Sequence, residues 1–298
     1  MIKLGMVGKV IIHNYPYAAY FNGADDELLR TRCSKTWMLP FLEGQFPEPV
    51  AGNSRITHVW AGVRDEAERI AECCRIEHVC GTLEEAIEQV QGVLILDEDI
   101  PFRTETVERC LEAGKSVFVD KILALSVNRT RTLVALAEEK GAKIAAWSQT
   151  LFDPECDQFK GLPGGAGLVT YNLARDNVLG YGIHLVCLAF AAFGHDSASM
   201  VAVDTGAEGW PVVALNYADG KNVILRAGQD LPPSGNVSYF GQGTDCLCAR
   251  LGDNGTMFRR SAAALEDMFE NGREPLPPQA LVRMTEAVAL LSRTTAAS

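Results

Sequence analysis

Short apolar runs alternate with amphipathic segments between residues 56 and 147 of the chain. The runs are typical of strands buried on both faces of a parallel sheet, and they predict strands at 56–62, 78–80, 93–96, 116–119 and 143–147. The segments between them carry apolar residues at helical spacing and predict helices at 65–74, 83–90, 104–113 and 126–140. With a first strand that ends at Gly8 and a helix at about 16–22, this order predicts a doubly wound α/β sheet.

The pattern changes after Ser148. Alternation with period two predicts strands at 200–204, 212–217, 222–227, 236–240 and 245–251, and Asp219-Gly220 and Asn254-Gly255 read as hairpin turns. Residues 153–167 are rich in proline, glycine and aspartate and predict a loop, whereas 181–193 and 280–292 predict helices. We therefore expect a Rossmann-type domain over residues 1–148. A C-terminal α+β domain with an open, mainly antiparallel sheet should follow over residues 149–298.

One connection is unusually long. Residues 23–55 separate the first helix from the second strand and contain the apolar segment 37–42. A connection of this length in a compact domain is usually functional or an ordered excursion. Its apolar cluster either forms a satellite core, which we favour, or covers a pocket.

Composition narrows the function classes. The 298 residues carry a formal charge of −11 without basic clusters, which argues against nucleic acid or an anionic membrane as the main partner. No apolar run approaches the ~20 residues of a membrane span, and the first strand starts too early to leave room for a signal peptide. Nine cysteines without a repeated short spacing suggest reduced thiols and a cytoplasmic protein. Cys246 and Cys248 are expected to be buried as small apolar residues.

The loop after the first strand is the first candidate for ligand binding. A dinucleotide-binding loop carries Gly-x-Gly-x-x-Gly there, because glycine lets the backbone approach a pyrophosphate at a helix N-terminus. Here only Gly8 is present, and Val10 would place a branched side chain where the phosphate should lie. Lys9 or His13 would compensate through direct charge. Gly8, Lys9, Val10 and His13 therefore form the candidate cofactor loop.

Two other positions at this edge of the sheet are charged. Arg64 stands where an acidic residue usually binds a ribose hydroxyl, so it either accommodates a 2′-phosphate, favouring NADP over NAD, or is simply solvated. Asp97, Glu98 and Asp99 follow the 93–96 strand and would repel phosphates but could hold hydroxyls, a cation or an amine. These carboxylates are expected to be solvated. The weaker alternative is a metal site formed by Asp97, Asp99 and Asp120.

Three segments, in the same order, resemble the Gfo/Idh/MocA oxidoreductase family. Residues 118–125 resemble its Glu-Lys-Pro segment, residues 182–185 resemble its Asp-x-Gly-x-His segment, and residues 277–287 are similar to its last helix. The resemblance implies a nicotinamide cofactor, NAD or NADP, with Asp97 and Asp120 beside it. It also implies a sugar, polyol or related substrate between the cofactor and the sheet domain.

The resemblance also implies roles for two side chains. Lys121 would contact substrate and cofactor and place positive charge beside a developing alkoxide. His184 would be the acid/base group at the reacting hydroxyl, because imidazole titrates near neutrality. Without the resemblance, His184 in an apolar helix reads as a satisfied core histidine, and Lys121 as a surface lysine at a strand end.

Several positions depart from the family pattern. Gly180 occupies the place of the family's catalytic aspartate, Cys187 stands where an acid is common, and Ile122 replaces the proline after the lysine. Residues 97–99 replace a more usual Thr-Pro-Asn-like turn.

Four further polar residues are candidate substrate contacts. Tyr15 would line the first crevice, and Asn172, Arg175 and Asp176 precede the histidine segment. The alternative for the last three is a polar strand end.

The sequence leaves two functions open. The favoured one is an NAD(P)-dependent oxidoreductase that acts on a CH–OH group of a small molecule. The alternative is a divergent family member without redox activity, either a ligand-binding or regulatory protein, or a lyase or hydrolase. In both cases a homodimer or homotetramer through the outer face of the C-terminal sheet is expected.

Overall fold

The computed structural model describes residues 1–9, 13–203, 210–241 and 246–293. Contacts between Cα atoms divide the chain into two units. The first comprises residues 1–124, 129–146 and 258–278, and the second comprises residues 125–128, 147–257 and 279–298. The units interleave along the chain, and the division into functional domains at residue 148 stays a prediction.

The first unit contains a six-stranded sheet. Its strands are β1 (Ile2–Gly8), β2 (Ser54–Ala61), β3 (His78–Val79), β4 (Gly92–Ile95), β5 (Ser116–Asp120) and β6 (Ile144–Trp147). They lie in the order β3-β2-β1-β4-β5-β6, and the pairs from β3 through β5 are parallel. This is the doubly wound order of a Rossmann fold, so the predicted fold class is confirmed for this half.

Six helices connect these strands. They are α1 (Asn14–Asn22), α2 (Asp26–Arg32), α3 (Arg64–Cys73), α4 (Leu83–Glu88), α5 (Ile100–Glu112) and α6 (Val127–Lys140). The capping box predicted at Thr82 and Glu85 is present. Helix α5 begins earlier than the predicted residue 104, because Asp99 caps its N-terminus and Pro101 occupies its first turn.

The long connection after α1 is ordered. It contains α2 and a 3₁₀ helix over Thr36–Phe41. Met38 and Leu42 are fully buried, as expected for a satellite core. The half-exposed Trp37 ring also lies 6.0 Å from the His13 imidazole, so the same segment covers one candidate site residue.

The second unit contains a mixed sheet that is mainly antiparallel, as predicted. Its strands are β7 (Ala166–Tyr171), β8 (Ser199–Val203), β9 (Val212–Asn216), β10 (Asn222–Ala227), β11 (Gly235–Phe240) and β12 (Cys246–Arg250), in the order β12-β11-β7-β10-β9-β8. The central strand β7 was not predicted, and it pairs parallel with β10. Residues 149–159 of the neighbouring segment form two 3₁₀ helices, Gln149–Phe152 and Pro154–Phe159.

The described residues contain three further helices, α7 (Val178–Phe193), α8 (Asn254–Asn271) and α9 (Pro278–Arg293). The turn predicted at Asn254-Gly255 is wrong, because these residues begin α8. Asp253 caps that helix by accepting a hydrogen bond from the Thr256 N–H at 2.8 Å. No helix in the described part of the chain is long and apolar enough to cross a bilayer.

The nine cysteines are not joined by disulfides. Seven are buried, but Cys246 and Cys248 are exposed, which contradicts their expected burial. Strand β12 lies at the edge of the second sheet, where Cys246 pairs with the exposed Phe240 and Cys248 with the half-buried Ser238 of β11.

Candidate active site

Lys9 follows β1 directly. Its backbone N–H donates a hydrogen bond to the Asp97 carboxylate, and its ammonium group lies 3.6 Å from the Asp99 carboxylate. Val10 lies outside the described residues, and Gly8 pairs with Ala61 at the end of β2. The N–H that a dinucleotide-binding loop would offer to a phosphate is thus already bound to a carboxylate.

The acidic turn, residues 97–99, is held by hydrogen bonds within the first unit. Asp97 is fully buried and also accepts from the Asp99 N–H at 2.7 Å. Asp99 caps α5 through the Phe102 N–H at 3.1 Å. The expectation of solvated carboxylates is therefore wrong for Asp97. No group of three histidine, cysteine or acidic side chains among the described residues is placed to hold a metal ion.

His13 and Asp120 form a buried pair. Asp120 ends β5 and His13 precedes α1, and His13 Nδ1 lies 2.9 Å from Asp120 Oδ2. His13 has a φ of 57°, a left-handed conformation that is uncommon outside glycine and turns the chain into α1. The Phe258 ring packs edge-on against the imidazole at 5.1 Å.

The Asp120 carboxylate lies among basic side chains. Burial on its own would raise its pKa, but His13, Lys121 and Arg103 outweigh that effect and hold the pKa below its ordinary value. Arg103 is also buried, and its Nη1 donates to the carbonyl oxygens of Asp97, at 3.0 Å, and of Asp120, at 2.8 Å. Burial lowers the pKa of Arg103 despite these acidic neighbours.

Lys121 follows Asp120 and is almost fully buried. Its ammonium group lies 2.7 Å from the Glu98 carboxylate, which joins the end of β5 to the acidic turn. Its φ of 76° is again left-handed. Strained backbone of this kind concentrates at functional sites, and here His13 and Lys121 both carry it within one cluster.

Several buried polar atoms of this cluster have no hydrogen-bond partner within the described residues. They are both amide atoms of Asn14, Oδ1 of Asp120, and Nε and Nη2 of Arg103. Buried polar atoms are nearly always satisfied, so these atoms call for a polar ligand or water. The cluster therefore fits the hydroxyl-rich part of a dinucleotide. For the phosphates the described residues offer the Lys9 ammonium rather than a glycine cradle.

Two predicted residues of this unit are engaged elsewhere. Arg64 begins α3 and forms an exposed ion pair with Glu68 at 2.8 Å. Tyr15 is fully buried in α1, and its hydroxyl accepts a hydrogen bond from the Ser34 N–H at 3.3 Å. Burial raises the pKa of Tyr15.

His184 lies in the second unit, on α7, and is 5% exposed. Its Nδ1 lies 2.5 Å from the Ser148 hydroxyl, and its ring lies 5.5 Å from each of the rings of Tyr171 and Tyr181. The Thr150 hydroxyl donates to the His184 carbonyl at 2.9 Å. The hydrogen bond with Ser148 thus holds the imidazole in a fixed orientation. Burial raises the pKa of the neighbouring Tyr171 to about 12.

The remaining candidates lie before α7. The Asn172 amide donates to the Leu231 carbonyl at 2.5 Å and so holds a neighbouring loop. Asp176 is exposed in a 3₁₀ helix over Arg175–Asn177. The side chain of Arg175 lies outside the described part of the structure.

The structure thus joins Lys9, His13, Asp97, Asp120 and Lys121 in one cluster of the first unit. Sequence reasoning missed Asn14, Arg103 and Ser148. Arg103 lies on the same face of α5 as the buried Thr106, Val107 and Cys110, and that spacing is a signal that could have found it. Ser148 directly follows β6, at the strand edge where ligands bind in this fold class.

The chain resembles known proteins in sequence and in fold. Residues 2–147 match a family model described as an oxidoreductase family with an NAD-binding Rossmann fold. No curated protein sequence matches the chain.

Solved structures match nearly the whole chain. Scyllo-inositol dehydrogenase from Lactobacillus casei is 14% identical with a TM-score of 0.69, over 99% of this chain and 96% of that one. GenD2 from gentamicin A biosynthesis, in complex with NAD, is 15% identical with a TM-score of 0.69, over 99% and 94%. Biliverdin reductase from Synechocystis sp. PCC 6803, in complex with biliverdin and NADP+, is 16% identical with a TM-score of 0.65, over 98% of each chain. At these identities the likeness shows a common fold.

Proposed function

Because the chain belongs to the Gfo/Idh/MocA oxidoreductase family through residues 2–147, we propose that it transfers hydride between a nicotinamide dinucleotide and a hydroxylated small molecule. The substrate class is a sugar, a polyol or a derivative of one. The observation that carries this proposal is the buried cluster of His13, Asp120 and Lys121 at the carboxyl edge of the parallel sheet. Ligands of doubly wound folds bind at this edge.

When bound, the nicotinamide ring donates or accepts the hydride. Asp120, His13 and Asn14 would hold the hydroxyl-bearing part of the dinucleotide, and Lys9 would contact its phosphates. The unpartnered atoms of Asn14 and Asp120 support this assignment, since a ligand with many hydroxyl groups would satisfy them.

Two side chains would act at the reacting carbon, one on the hydroxyl proton and one on the negative charge of the alkoxide. The His184 imidazole takes the hydroxyl proton during oxidation, and the Ser148 hydroxyl fixes the orientation of its ring. The Lys121 ammonium stabilises the alkoxide that forms. Lys121 now pairs with the half-exposed Glu98, so substrate would compete with that carboxylate for the ammonium group.

The structural relatives support the substrate class and the cofactor class. One of them is a dehydrogenase of a polyol, scyllo-inositol, and two others are complexes with NAD and with NADP+. We propose NADP as the preferred form, because Arg64 would meet a 2′-phosphate if it left its exposed pair with Glu68. Binding constants for NADPH and NADH in Arg64→Ala test this: the variant should lose any NADPH preference and leave NADH binding unchanged.

We further propose that the protein acts in the cytoplasm as a homodimer or homotetramer. The nine cysteines, none joined in a disulfide, suit a reducing compartment. The outer face of the second sheet would form the contact between copies. Sedimentation equilibrium should give a multiple of 32.3 kDa, and a species of that mass alone would contradict the assembly.

A second candidate is a family member without hydride transfer. It would bind or sense a ligand, or act as a lyase or hydrolase in the same pocket. Two observations favour it: Gly180 stands in place of the family's aspartate, and the Lys9 N–H is bound to Asp97.

The nicotinamide absorbance separates the two candidates. Incubation with NAD or NADP and a panel of sugars and polyols should change that absorbance with at least one substrate. Mass spectrometry of the purified protein should find a co-purified dinucleotide. A protein that carries no dinucleotide and leaves the absorbance unchanged across the panel would favour the second candidate.

A further inference from the structure

One nitrogen of the Arg103 guanidinium group holds the backbone at two strand ends. The side chain is 1% exposed, and its Nη1 donates to the carbonyl oxygens of Asp97, at 3.0 Å, and of Asp120, at 2.8 Å. Asp120 is the last residue of β5, and Asp97 follows closely on the end of β4. Among the residues that the structure describes, these two oxygens are the only hydrogen-bond partners of the guanidinium group. Arg103 therefore ties the two strand ends together.

The residue after each of these carbonyl groups belongs to one ion pair. Glu98 follows Asp97, Lys121 follows Asp120, and the Lys121 ammonium lies 2.7 Å from the Glu98 carboxylate. A carbonyl group and the next residue's N–H lie in one rigid peptide plane, so a hydrogen bond to the oxygen restrains the whole plane. Arg103 thus restrains the two peptide planes that lead into the two partners of the ion pair.

The backbone of Lys121 needs such a restraint. Its φ of 76° is left-handed, and a residue with a Cβ atom keeps that conformation only where its surroundings determine it. The φ angle is the rotation that directly follows the peptide plane held by Arg103. Beyond Lys121, the Thr104 hydroxyl lies 3.2 Å from the Leu123 carbonyl oxygen. Two consecutive residues of α5 therefore restrain the backbone before and after Lys121.

The chemistry of arginine suits this task. A hydrogen bond from a charged donor is stronger than one from a neutral donor, and here the Asp120 and Asp97 carboxylates also attract the buried guanidinium group. A lysine side chain is one bond shorter than the path to Nη1 and lacks the rigid planar head group. Lysine at position 103 would therefore keep the positive charge but lose the bridge between the two carbonyl oxygens.

We propose that Arg103 is a positioning residue, which holds the backbone at Lys121 and Glu98 so that the ammonium group stays where the substrate hydroxyl would meet it. Substrate then has to displace only the Glu98 carboxylate, while the lysine keeps its place. This role rests on the proposed function, in which Lys121 stabilises the alkoxide. It makes the position of Lys121 depend on a buried side chain on a neighbouring helix.

Lysine labelling tests the positioning without any measurement of activity. The full-length protein is treated with a limiting amount of acetic anhydride, and peptide mapping gives the acetylation rate of each lysine. In wild type, Lys121 should react far more slowly than Lys140, which is more exposed. In Arg103→Lys, Lys121 should react about tenfold faster than in wild type, because the segment that holds it opens more often. The control Arg109→Lys makes the same change at an exposed position of α5 and should leave the rate unchanged.

Steady-state kinetics separates positioning from a general loss of structure. Arg103→Lys keeps a positive charge beside Asp120, so the KM for the dinucleotide should change little. The kcat should fall by up to about 10²-fold, because a misplacement of ~1 Å at a reacting group costs that much. A purely structural arginine would instead lower the folded fraction and leave both the kcat of the folded molecules and their Lys121 labelling unchanged.

Each measurement can overturn the proposal. Wild-type Lys121 that reacts as fast as Lys140 would overturn it even if the variant fails to fold. An unchanged Lys121 rate in Arg103→Lys would also overturn it, as would an unchanged kcat in an active enzyme. Failure of the proposed function is recognised separately, because wild type would then leave the nicotinamide absorbance unchanged while the labelling contrast between wild type and Arg103→Lys persists.

Discussion

His13 Nδ1 lies 2.9 Å from Asp120 Oδ2, which joins the start of the first helix to the end of the fifth strand of the parallel sheet. The two residues are 107 positions apart in the chain, and both side chains are buried. We propose that this pair takes over part of what a glycine loop provides in dinucleotide-binding proteins. His13, Lys121 and Arg103 all stabilise the charged form of Asp120.

Asp120→Asn should destabilise the fold. The substitution leaves Lys121, Arg103 and the His13 imidazole beside a neutral amide in a buried site, and removal of one partner from such a set costs about 3 kcal/mol or more. The free energy of unfolding in urea measures the effect. Asp65→Asn, which breaks the exposed pair with Arg69, is the matched control and should change stability far less, because solvent screens that pair. Equal effects of the two variants would show that the buried charge is not stabilising.

The same carboxylate should make stability depend on pH. Its folded-state pKa is held below the unfolded value of about 3.9, so its contribution is present above that pH. The contribution is lost as pH falls through the folded-state pKa. The stability difference between wild type and Asp120→Asn should therefore shrink on acidification below about pH 4. Urea unfolding of both proteins at several pH values checks this, and a constant difference would contradict it.

Lys121→Ala should lower turnover and should also cost part of the stability that Asp120→Asn loses, because Lys121 is one of the groups beside the buried Asp120 carboxylate. Loss of a positive group at a developing alkoxide costs about 10²- to 10³-fold in kcat. Its partner Glu98 is half-exposed and can be hydrated when the ammonium is gone, so loss of that ion pair by itself should cost little stability. Lys140→Ala, which removes an exposed lysine, is the control and should keep full activity. A normal kcat in the Lys121 variant would remove this residue from the mechanism.

His184→Ala should lower kcat by about 10²- to 10⁴-fold, the usual contribution of a general acid/base group, and should leave KM nearly unchanged. A purely structural histidine in the same tyrosine-flanked position would instead lower stability and spare kcat. His195→Ala, in the same unit, provides the comparison and should keep kcat. Steady-state kinetics with circular dichroism distinguishes the two roles.

The parallel-sheet half could be read from the sequence because strands buried on both faces give continuous apolar runs. Strand β7 could not, since its Ala166-Gly167 start reads as a loop and its place is fixed by pairing with β10 and β11. Helix α8 carries buried residues at helical spacing, including Met257, Leu265 and Met268. Its Asn254-Gly255 start has the composition of a turn, which concealed it.

The site was predictable only in part. The ends of parallel strands meet at one edge, so the sequence placed Asp97, Asp120 and Lys121 near each other. It did not show that Asp97 would bind the Lys9 N–H or that Asp120 would bind His13. Such contacts join residues about a hundred positions apart, and local periodicity carries no information about them.

Isothermal titration calorimetry with NADH and NADPH is the decisive measurement, because the loop after Gly8 lacks the later glycines of a dinucleotide-binding loop. We predict saturable binding of at least one of the two, weakened in Asp120→Asn and in Lys9→Ala, with the Lys140→Ala control unchanged. No heat of binding with either dinucleotide at millimolar concentration would contradict the claim that this protein is a nicotinamide-dependent oxidoreductase.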